Sequence, residues 1–246
     1  MAKPRLAVIL TSWRRIYRLP DILTNLAEQT HADFDLYIWN NNHDPGKPDK
    51  VDAVCLPFEN DLRITTIHSR QNLIGRGRMI LSRHLRLKHG TEWVIFFDDD
   101  QVIPPITVER LWDERQPQSV VSAWVWKRVG EPVAPRIDCT PGEFGFHGGA
   151  ASSITDTALY GYDQYWRMWP RKFWRISDPW RSFMIHSLGW HIIKSSLCLH
   201  MSDASADANA LTGSPETRAL WGEFSNLFFA PQPGRHESPL YTGPLP

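Results

Sequence analysis

A buried strand that runs directly into three carboxylates is the feature that most restricts how this chain can fold. Trp93 to Phe97 are consecutive apolar residues, and Asp98, Asp99 and Asp100 follow them without a break. An apolar run of this length is typical of a strand that is covered on both faces. If the extended geometry persists, Asp98 and Asp100 share one side, and a divalent cation relieves their repulsion. The stretch predicts an α/β sheet with a metal site at a strand end, and a solvated turn is the alternative.

Short apolar strands alternate with amphipathic helices through the first hundred residues. The predicted segments before the strand at 93–97 are strand 6–10, helix 19–29, strand 34–39, strand 63–67 and helix 78–88. This order predicts a mostly parallel central sheet flanked by helices, which is a Rossmann-like α/β architecture. Ligands of such sheets bind beyond the carboxyl ends of the strands. Three of those ends carry polar clusters, which are Thr11-Ser12, Asn40 to Asn42 and Asp98 to Asp100.

The second half of the chain is less regular. The predicted segments are a short helix after Pro105, strand 119–126, an irregular stretch at 127–145, helix 177–188, strands 190–194 and 196–200, and an amphipathic helix near 215–228. The last helix carries Leu220, Trp221, Phe224, Leu227 and Phe228 on one predicted face, which favours docking onto the domain. Residues 230–246 contain five prolines and predict an irregular end.

Composition excludes several classes of protein. Lys plus Arg and Asp plus Glu are both 27, so no charge excess favours nucleic acid. The three cysteines are widely spaced and predict reduced thiols rather than disulfides or a zinc module. No apolar run reaches the roughly 20 residues of a transmembrane segment, and no signal peptide is evident. We therefore expect a cytoplasmic protein, with peripheral attachment at a membrane left open.

The order of these motifs resembles the nucleotide-binding half of GT-A fold glycosyltransferases, especially the inverting, DxD-containing family 2. The resemblance covers roughly residues 5–105. It is carried by Thr11-Ser12-Trp13-Arg14, Glu28-Gln29-Thr30, Phe34-Asp35-Leu36, Asn40 to His43 and Asp98-Asp99-Asp100. It implies one catalytic domain at 1–201, with a nucleotide-binding half at about 1–105, an acceptor-binding half at 106–201 and a C-terminal extension at 202–246.

The resemblance also implies roles for individual residues in binding a nucleoside-diphosphate sugar. Contacts to the nucleotide would come from Thr11, Asn41, Arg76, Arg78, Asp98 and Asp99, and a Mn²⁺ or Mg²⁺ ion would be held by Asp100, Asp98 and His200. Asn41 departs from the usual Asp, and because an amide offers a different donor and acceptor set, the base stays open although UDP is favoured. A solvated helix start is the alternative for both arginines, and a surface or core histidine is the alternative for His200.

Inverting transfer further requires a carboxylate that removes the proton of the acceptor hydroxyl. The resemblance assigns this role to Asp178 at the start of a helix, with Asp156 and Asp163 as competitors. Because Asp178 precedes Pro179, it also has the pattern of an ordinary helix N-cap.

Two further stretches have two interpretations each. The run from His147 to Ala151 is predicted to form the pocket floor near the sugar, or else a tightly packed turn. Trp166, Trp169 or Trp180 could stack on an acceptor sugar, or else belong to the core.

The resulting hypothesis is a metal-dependent glycosyltransferase that moves a sugar to a glycan or other hydroxyl acceptor, as in polysaccharide synthesis. Two other classes remain open. A nucleotidyltransferase-type enzyme also uses paired carboxylates and metal, although residues 72–77 match no phosphate-binding loop. A non-catalytic protein that binds sugar nucleotides or glycans could keep the same fold.

Overall fold

The computed structural model describes residues 5–42, 50–127, 137–199 and 214–228 of the chain. Several predictions lie outside these ranges. They concern the metal ligand His200, most of the turn after Asn42, part of the irregular stretch at 127–145, and the extension on both sides of the last helix.

The described residues form ten strands. They are β1 (Leu6–Ser12), β2 (Asp35–Asn40), β3 (Ile64–His68), β4 (Trp93–Asp98), β5 (Ser119–Ser122), β6 (Val125–Lys127), β7 (Ile137–Asp138), β8 (His147–Gly148), β9 (Ser153–Asp156) and β10 (His191–Lys194). The central sheet has the order β10-β5-β9-β4-β1-β2-β3, and a small sheet has the order β7-β6-β8. Within the central sheet only β9 runs antiparallel to its neighbours, so the prediction of a mostly parallel sheet is confirmed.

Eight α-helices accompany the sheets in the described ranges. They are α1 (Leu19–Ala27), α2 (Lys50–Cys55), α3 (Arg76–His89), α4 (Thr107–Glu114), α5 (Ala158–Gly161), α6 (Asp163–Arg167), α7 (Ser177–Ser187) and α8 (Pro215–Phe228). Two core clusters lie on opposite faces of the sheet, because alternate residues of β1 and β4 belong to different clusters. No helix among the described residues is both long and apolar enough to span a membrane.

Two predictions about the second half were wrong in detail, and one strand was not predicted. The strand predicted at 119–126 is interrupted after Ser122, whose hydroxyl accepts a hydrogen bond from the Trp124 amide and donates one to the Gly149 carbonyl. The strand predicted at 196–200 is absent over 196–199, where Ser196 instead binds the Glu114 carboxylate. Strand β9 was missed because its sequence, Ser-Ile-Thr-Asp, has little apolar content.

Helix α8 docks on the domain as its pattern predicts. Phe224 is fully buried and its ring contacts Phe173, Trp180 and Phe183. Leu227 was predicted on the same face but is 52% exposed. The buried face of α8 is therefore narrower than its apolar pattern. The side that carries Phe224 packs against α7, and Leu227 lies at the edge of that contact, in solvent.

Two helical glycines provide a matched test of how closely α3 packs against Trp39. A Cβ at Gly77 in α3 would lie 2.3 Å from the Trp39 indole, whereas one at Gly222 in α8 would meet nothing within 4 Å. We expect Gly77→Ala to lower the free energy of unfolding by about 1–3 kcal/mol through overpacking. Gly222→Ala should raise it by about 0.4–1 kcal/mol, because alanine restricts the unfolded chain. Urea denaturation measures both, and equal effects would contradict the close packing of α3 on Trp39.

Candidate active site

The register of the parallel strands brings the three predicted polar clusters to one edge of the sheet. Thr11 pairs with Asp98 across β1 and β4, and Ser12 pairs with Asn40 across β1 and β2. Thr11 itself is buried. Because carboxyl ends of parallel strands lie side by side, residues about ninety positions apart in the chain become neighbours. This edge is the candidate active site.

The extended geometry does not persist beyond Asp98. The chain turns there, since the Asp98 amide donates to Gln101 Oε1 at 3.0 Å and the Gln101 amide donates to the Asp98 carbonyl. Gln101 is held in turn by a hydrogen bond to Ser152 Oγ at 2.7 Å. Because the chain turns here, the strand alternation that would place Asp98 and Asp100 on one side does not apply. The carboxylates instead have different partners.

Arg15 is the partner of the second and third carboxylates. Its guanidinium lies 2.7 Å from Asp99 Oδ1 and 3.6 Å from Asp100 Oδ2, and all three side chains are buried. Asp99 also accepts a hydrogen bond from the Trp13 amide at 2.6 Å. Burial raises the pKa of Asp99 despite these contacts. Sequence reasoning missed Arg15, although its position just after the first strand end was an available signal.

Arg78 is the partner of the first carboxylate, with Nη2 2.7 Å from Asp98 Oδ1. Burial is the main cause that raises the pKa of Asp98 to about 6; Arg78 opposes this, while Asp100, Asp178 and Asp99 add to it. The Asp98 side chain is still 32% exposed and therefore accessible to a ligand. Three other carboxylates thus act electrostatically on Asp98.

This donor set fits a hard divalent cation. Carboxylate oxygens are the ligands that Mg²⁺ and Mn²⁺ prefer, and a cation would offset the mutual repulsion that raises the pKa of Asp98. No three His, Cys, Asp or Glu side chains of the described residues form a ready-made metal cage. That arrangement suits an ion held by one or two carboxylates together with substrate phosphates.

Asp178 lies in the first turn of α7 and faces the same site. Its Oδ2 accepts a hydrogen bond from the Ala150 amide at 2.9 Å. The N-cap position of α7 is Ile176, which makes no side-chain capping bond, so the N-cap interpretation of Asp178 was wrong. Burial would raise the pKa of Asp178, but Arg78, Arg181 and the Ala150 bond outweigh it and the pKa is lowered. Asp178 is therefore ionised at neutral pH.

The two competing carboxylates serve other sites. Asp156 pairs with Trp93, at the opposite end of β4 from Asp98, and accepts hydrogen bonds from the amides of Gln118 and Ala158. Asp163 is 63% exposed and pairs with Arg83 on α3 at 2.6 Å. Both carboxylates thus have partners of their own outside the strand-end cluster.

The predicted nucleotide contacts Asn41 and Arg76 both have structural partners. Asn41 Oδ1 accepts hydrogen bonds from Trp39 Nε1 at 3.0 Å and from the Leu73 amide at 3.1 Å, which ties the loop before α3 to the strand end. The Arg76 guanidinium lies 3.7 Å from the Trp174 ring centroid, and burial lowers its pKa. The Arg76 guanidinium thus stacks on Trp174, whereas Arg78 pairs with Asp98.

The glycine run packs closely against its neighbours, as one of its two interpretations predicts. A Cβ at Gly148 would lie 2.9 Å from Ile192, and one at Gly149 would lie 3.1 Å from Trp124. This packing brings the following residue, Ala150, to Asp178. The run thus borders the site through its backbone.

Acceptor stacking on Trp169 or Trp180 was wrong, because both indoles are buried and stack on each other with centroids 5.8 Å apart. Trp166 is half-buried and donates a hydrogen bond to the Tyr160 carbonyl.

Comparison with known proteins places this architecture among glycosyltransferases of the GT-A fold. Residues 7–192 match the model of the family described as glycosyl transferase family 2. The match spans well over half of the chain, and the protein belongs to glycosyl transferase family 2. No curated protein sequence is significantly similar to it.

Three solved structures illustrate the likeness. S. aureus TarS 1-349 in complex with UDP-GlcNAc has a TM-score of 0.54 and 16% identity, covering 79% of this chain and 57% of that one. The mannosyltransferase PcManGT from Pyrobaculum calidifontis, in complex with GDP-Man and Mn²⁺, has a TM-score of 0.53 and 14% identity, covering 79% and 55%. GalNAc-T7 with UDP, GalNAc and Mn²⁺ has a TM-score of 0.57 and 10% identity, covering 91% and 48%. The chain spans about half the length of these proteins, and at such identity the likeness shows the fold.

Proposed function

We propose that this protein transfers a sugar from a nucleoside-diphosphate sugar to a hydroxyl group of a glycan or similar acceptor, with inversion and with Asp178 as general base. The observation that carries the proposal is that Arg78 forms an ion pair with Asp98 and also interacts electrostatically with Asp178, so that both carboxylates lie near one edge of the sheet. Membership of glycosyl transferase family 2 supports it.

The donor is proposed to bind across the strand ends within residues 1–105, and the acceptor within 106–201. Contacts to the donor would come from Thr11, Asn41, Arg76, Arg78, Asp98 and Asp99. UDP is the favoured nucleotide, and two of the similar structures contain UDP or UDP-GlcNAc while a third contains GDP-Man. Asn41 would act mainly by holding the loop before α3 against the nucleotide, because its amide oxygen already accepts two hydrogen bonds.

A Mn²⁺ or Mg²⁺ ion would be held by Asp100 and Asp98, with His200 as a further proposed ligand. When bound, such an ion offsets the negative charge that develops on the departing diphosphate. Arg15 and Arg78 keep the neighbouring carboxylates in place, since each forms an ion pair of 2.7 Å with one of them.

Asp178 would remove the proton of the acceptor hydroxyl. Its lowered pKa keeps the carboxylate deprotonated, which is the form that a general base needs, and the proton affinity of this base is correspondingly modest. The Ala150 amide holds Oδ2, and this bond sets the direction in which the carboxylate faces. Attack on the anomeric carbon from the side opposite the diphosphate gives inversion.

The direct test is incubation of the protein with UDP-GlcNAc, UDP-glucose or GDP-mannose and Mn²⁺, followed by measurement of released nucleoside diphosphate. Release supports the transferase. Pyrophosphate released from a nucleoside triphosphate would support a nucleotidyltransferase instead. Donor binding without turnover would support a non-catalytic binding protein.

Removal of the proposed metal ligand tests the cation site separately. We expect Mn²⁺ to increase the affinity for UDP in the parent protein, and Asp100→Ala to abolish this increase. The loss in Mn²⁺ affinity should exceed the roughly 10- to 100-fold loss that follows removal of a residue hydrogen-bonded to a metal ligand. Isothermal titration calorimetry with and without Mn²⁺ measures both affinities. Asp163→Ala, at an exposed ion pair on α6, is the matched control and should behave as the parent; an unchanged Mn²⁺ effect in Asp100→Ala would contradict the site.

A further inference from the structure

Arg181 is a charged side chain with no solvent exposure in the middle of α7. Its Nη1 donates to Ser153 Oγ at 3.0 Å and to Thr155 Oγ1 at 3.4 Å. Its Nη2 donates to the carbonyls of Gly148 at 3.2 Å and Gly149 at 2.7 Å. All four acceptors are neutral. A guanidinium that is removed from water without an anion in contact is costly, so its presence here needs a reason beyond packing.

The carbonyl that Arg181 binds most closely belongs to the peptide group that binds Asp178. The Gly149 carbonyl and the Ala150 amide are the two ends of one planar peptide unit. Arg181 donates to the oxygen of this unit at 2.7 Å, and the nitrogen of the same unit donates to Asp178 Oδ2 at 2.9 Å. A cation on one end and an anion on the other polarise the peptide in the same sense, which strengthens both hydrogen bonds.

The helix explains why the two charges can share one peptide. Asp178 and Arg181 are three residues apart on α7, so their side chains lie on the same face. Both therefore reach the segment at 148–150, which runs alongside the helix. The hydroxyl of Ser182, the next residue of α7, accepts a hydrogen bond from the Gly148 amide of this segment. It also hydrogen-bonds to Nδ1 of the preceding residue, His147.

Other charged groups also act on Asp178. Arg78 from α3, His147 from β8 and Asp98 from β4 contribute to its electrostatic surroundings, and Tyr165 from α6 lies within the same field. Arg78 differs from Arg181 because it has a carboxylate in contact, Asp98, at 2.7 Å. Asp178 is thus the carboxylate whose negative charge Arg181 stabilises.

We propose that Arg181 is a positioning residue for the carboxylate of Asp178: it clamps the peptide between Gly149 and Ala150 so that the amide fixes Asp178 Oδ2. Oδ1, which accepts a hydrogen bond from the Ser177 hydroxyl at 3.3 Å, is then the oxygen offered to the acceptor hydroxyl. The kinetic consequence rests on the proposed function of Asp178 as base. The structural consequence, a coupling between the two side chains through the shared peptide, does not.

The coupling is tested by a double-mutant cycle on thermal unfolding, which needs no substrate. The variants are Asp178→Asn, Arg181→Gln and the double variant, with Arg83→Gln as a control for the same change at a surface ion pair. We expect the double variant to lose less in melting temperature than the two single losses sum to, because each single change leaves the other charge uncompensated. Additive losses would overturn the proposal. If Arg181→Gln fails to fold, recovery of folding in the double variant supports it, and failure of both overturns it.

The kinetic test uses the donor that the parent protein hydrolyses. We expect Arg181→Gln to lower kcat on the order of 100-fold, the scale of a small misplacement of a reacting group, while KM for the donor and the affinity for UDP stay within about threefold. Arg181→Lys, which keeps the charge but not the fork, should recover part of kcat. Equal effects on kcat and UDP affinity would reduce Arg181 to a structural residue. If the parent shows no turnover, the proposed function fails while the unfolding cycle still decides the coupling.

Discussion

Replacing Asp178 with Asn is expected to lower turnover by roughly 10²–10⁴-fold, the usual contribution of a general base. The amide oxygen of Asn can still accept the hydrogen bond from Ala150, so the local geometry should survive. An amide cannot take up the proton of the acceptor, and the chemical step should therefore slow while UDP affinity stays close to that of the parent. Donor turnover and calorimetric titration with UDP measure the two effects.

Asp163→Asn is the control for this experiment. Asp163 is also near the start of a helix, but it is exposed and pairs with Arg83 away from the strand ends. Turnover of this variant should match the parent. If Asp178→Asn keeps parental turnover, the assignment of the base is wrong. If it loses UDP affinity as well, Asp178 contributes to donor binding rather than to proton removal.

Phe224→Ala is expected to lower the free energy of unfolding by about 3–5 kcal/mol, the usual cost of removing a buried aromatic ring. The Phe224 ring is fully buried against Phe173, Trp180 and Phe183. Trp180 and Phe183 belong to α7, the helix that carries Asp178. The change should therefore destabilise α7 as well as α8, which lies outside the residues that match the family. Chemical denaturation measures the loss.

Leu227→Ala on the same helix is the matched control. Leu227 is 52% exposed, and surface substitutions away from special features usually change stability by less than about 0.5 kcal/mol. A similar loss in both variants would show that α8 does not dock through Phe224.

Local pattern was sufficient to predict the elements that build the candidate site. The apolar run at Trp93 and the acidic triplet after it predicted β4 and its polar end, since burial of a central strand leaves a continuous apolar stretch. The periodicity of α3 and the glycine at position 90 predicted a helix that indeed ends there, with Gly90 in the left-handed conformation. Strand β9 was missed because its pairing with β4 and β5, rather than its own residues, determines its conformation.

The partners of the charged side chains could not be predicted in this way. Arg15 was overlooked although it binds Asp99 and Asp100, and the residue predicted to cap α7 binds Ala150 instead. Trp180 reads equally well as a stacking surface and as core, and only its burial decides between them. Each of these outcomes depends on where a second segment packs, which no local pattern contains.

The sequence by itself determined strands β1 to β4, helices α1 and α3 and the polar residues at three strand ends, because periodicity and turn chemistry act between near neighbours in the chain. The tertiary structure alone decided that Arg78 neutralises Asp98, that Arg15 serves Asp99 and Asp100, and that Arg181 and Asp178 share one peptide group. These contacts join segments far apart in the chain, and the free energy of burying their charges is set by the folded surroundings as a whole.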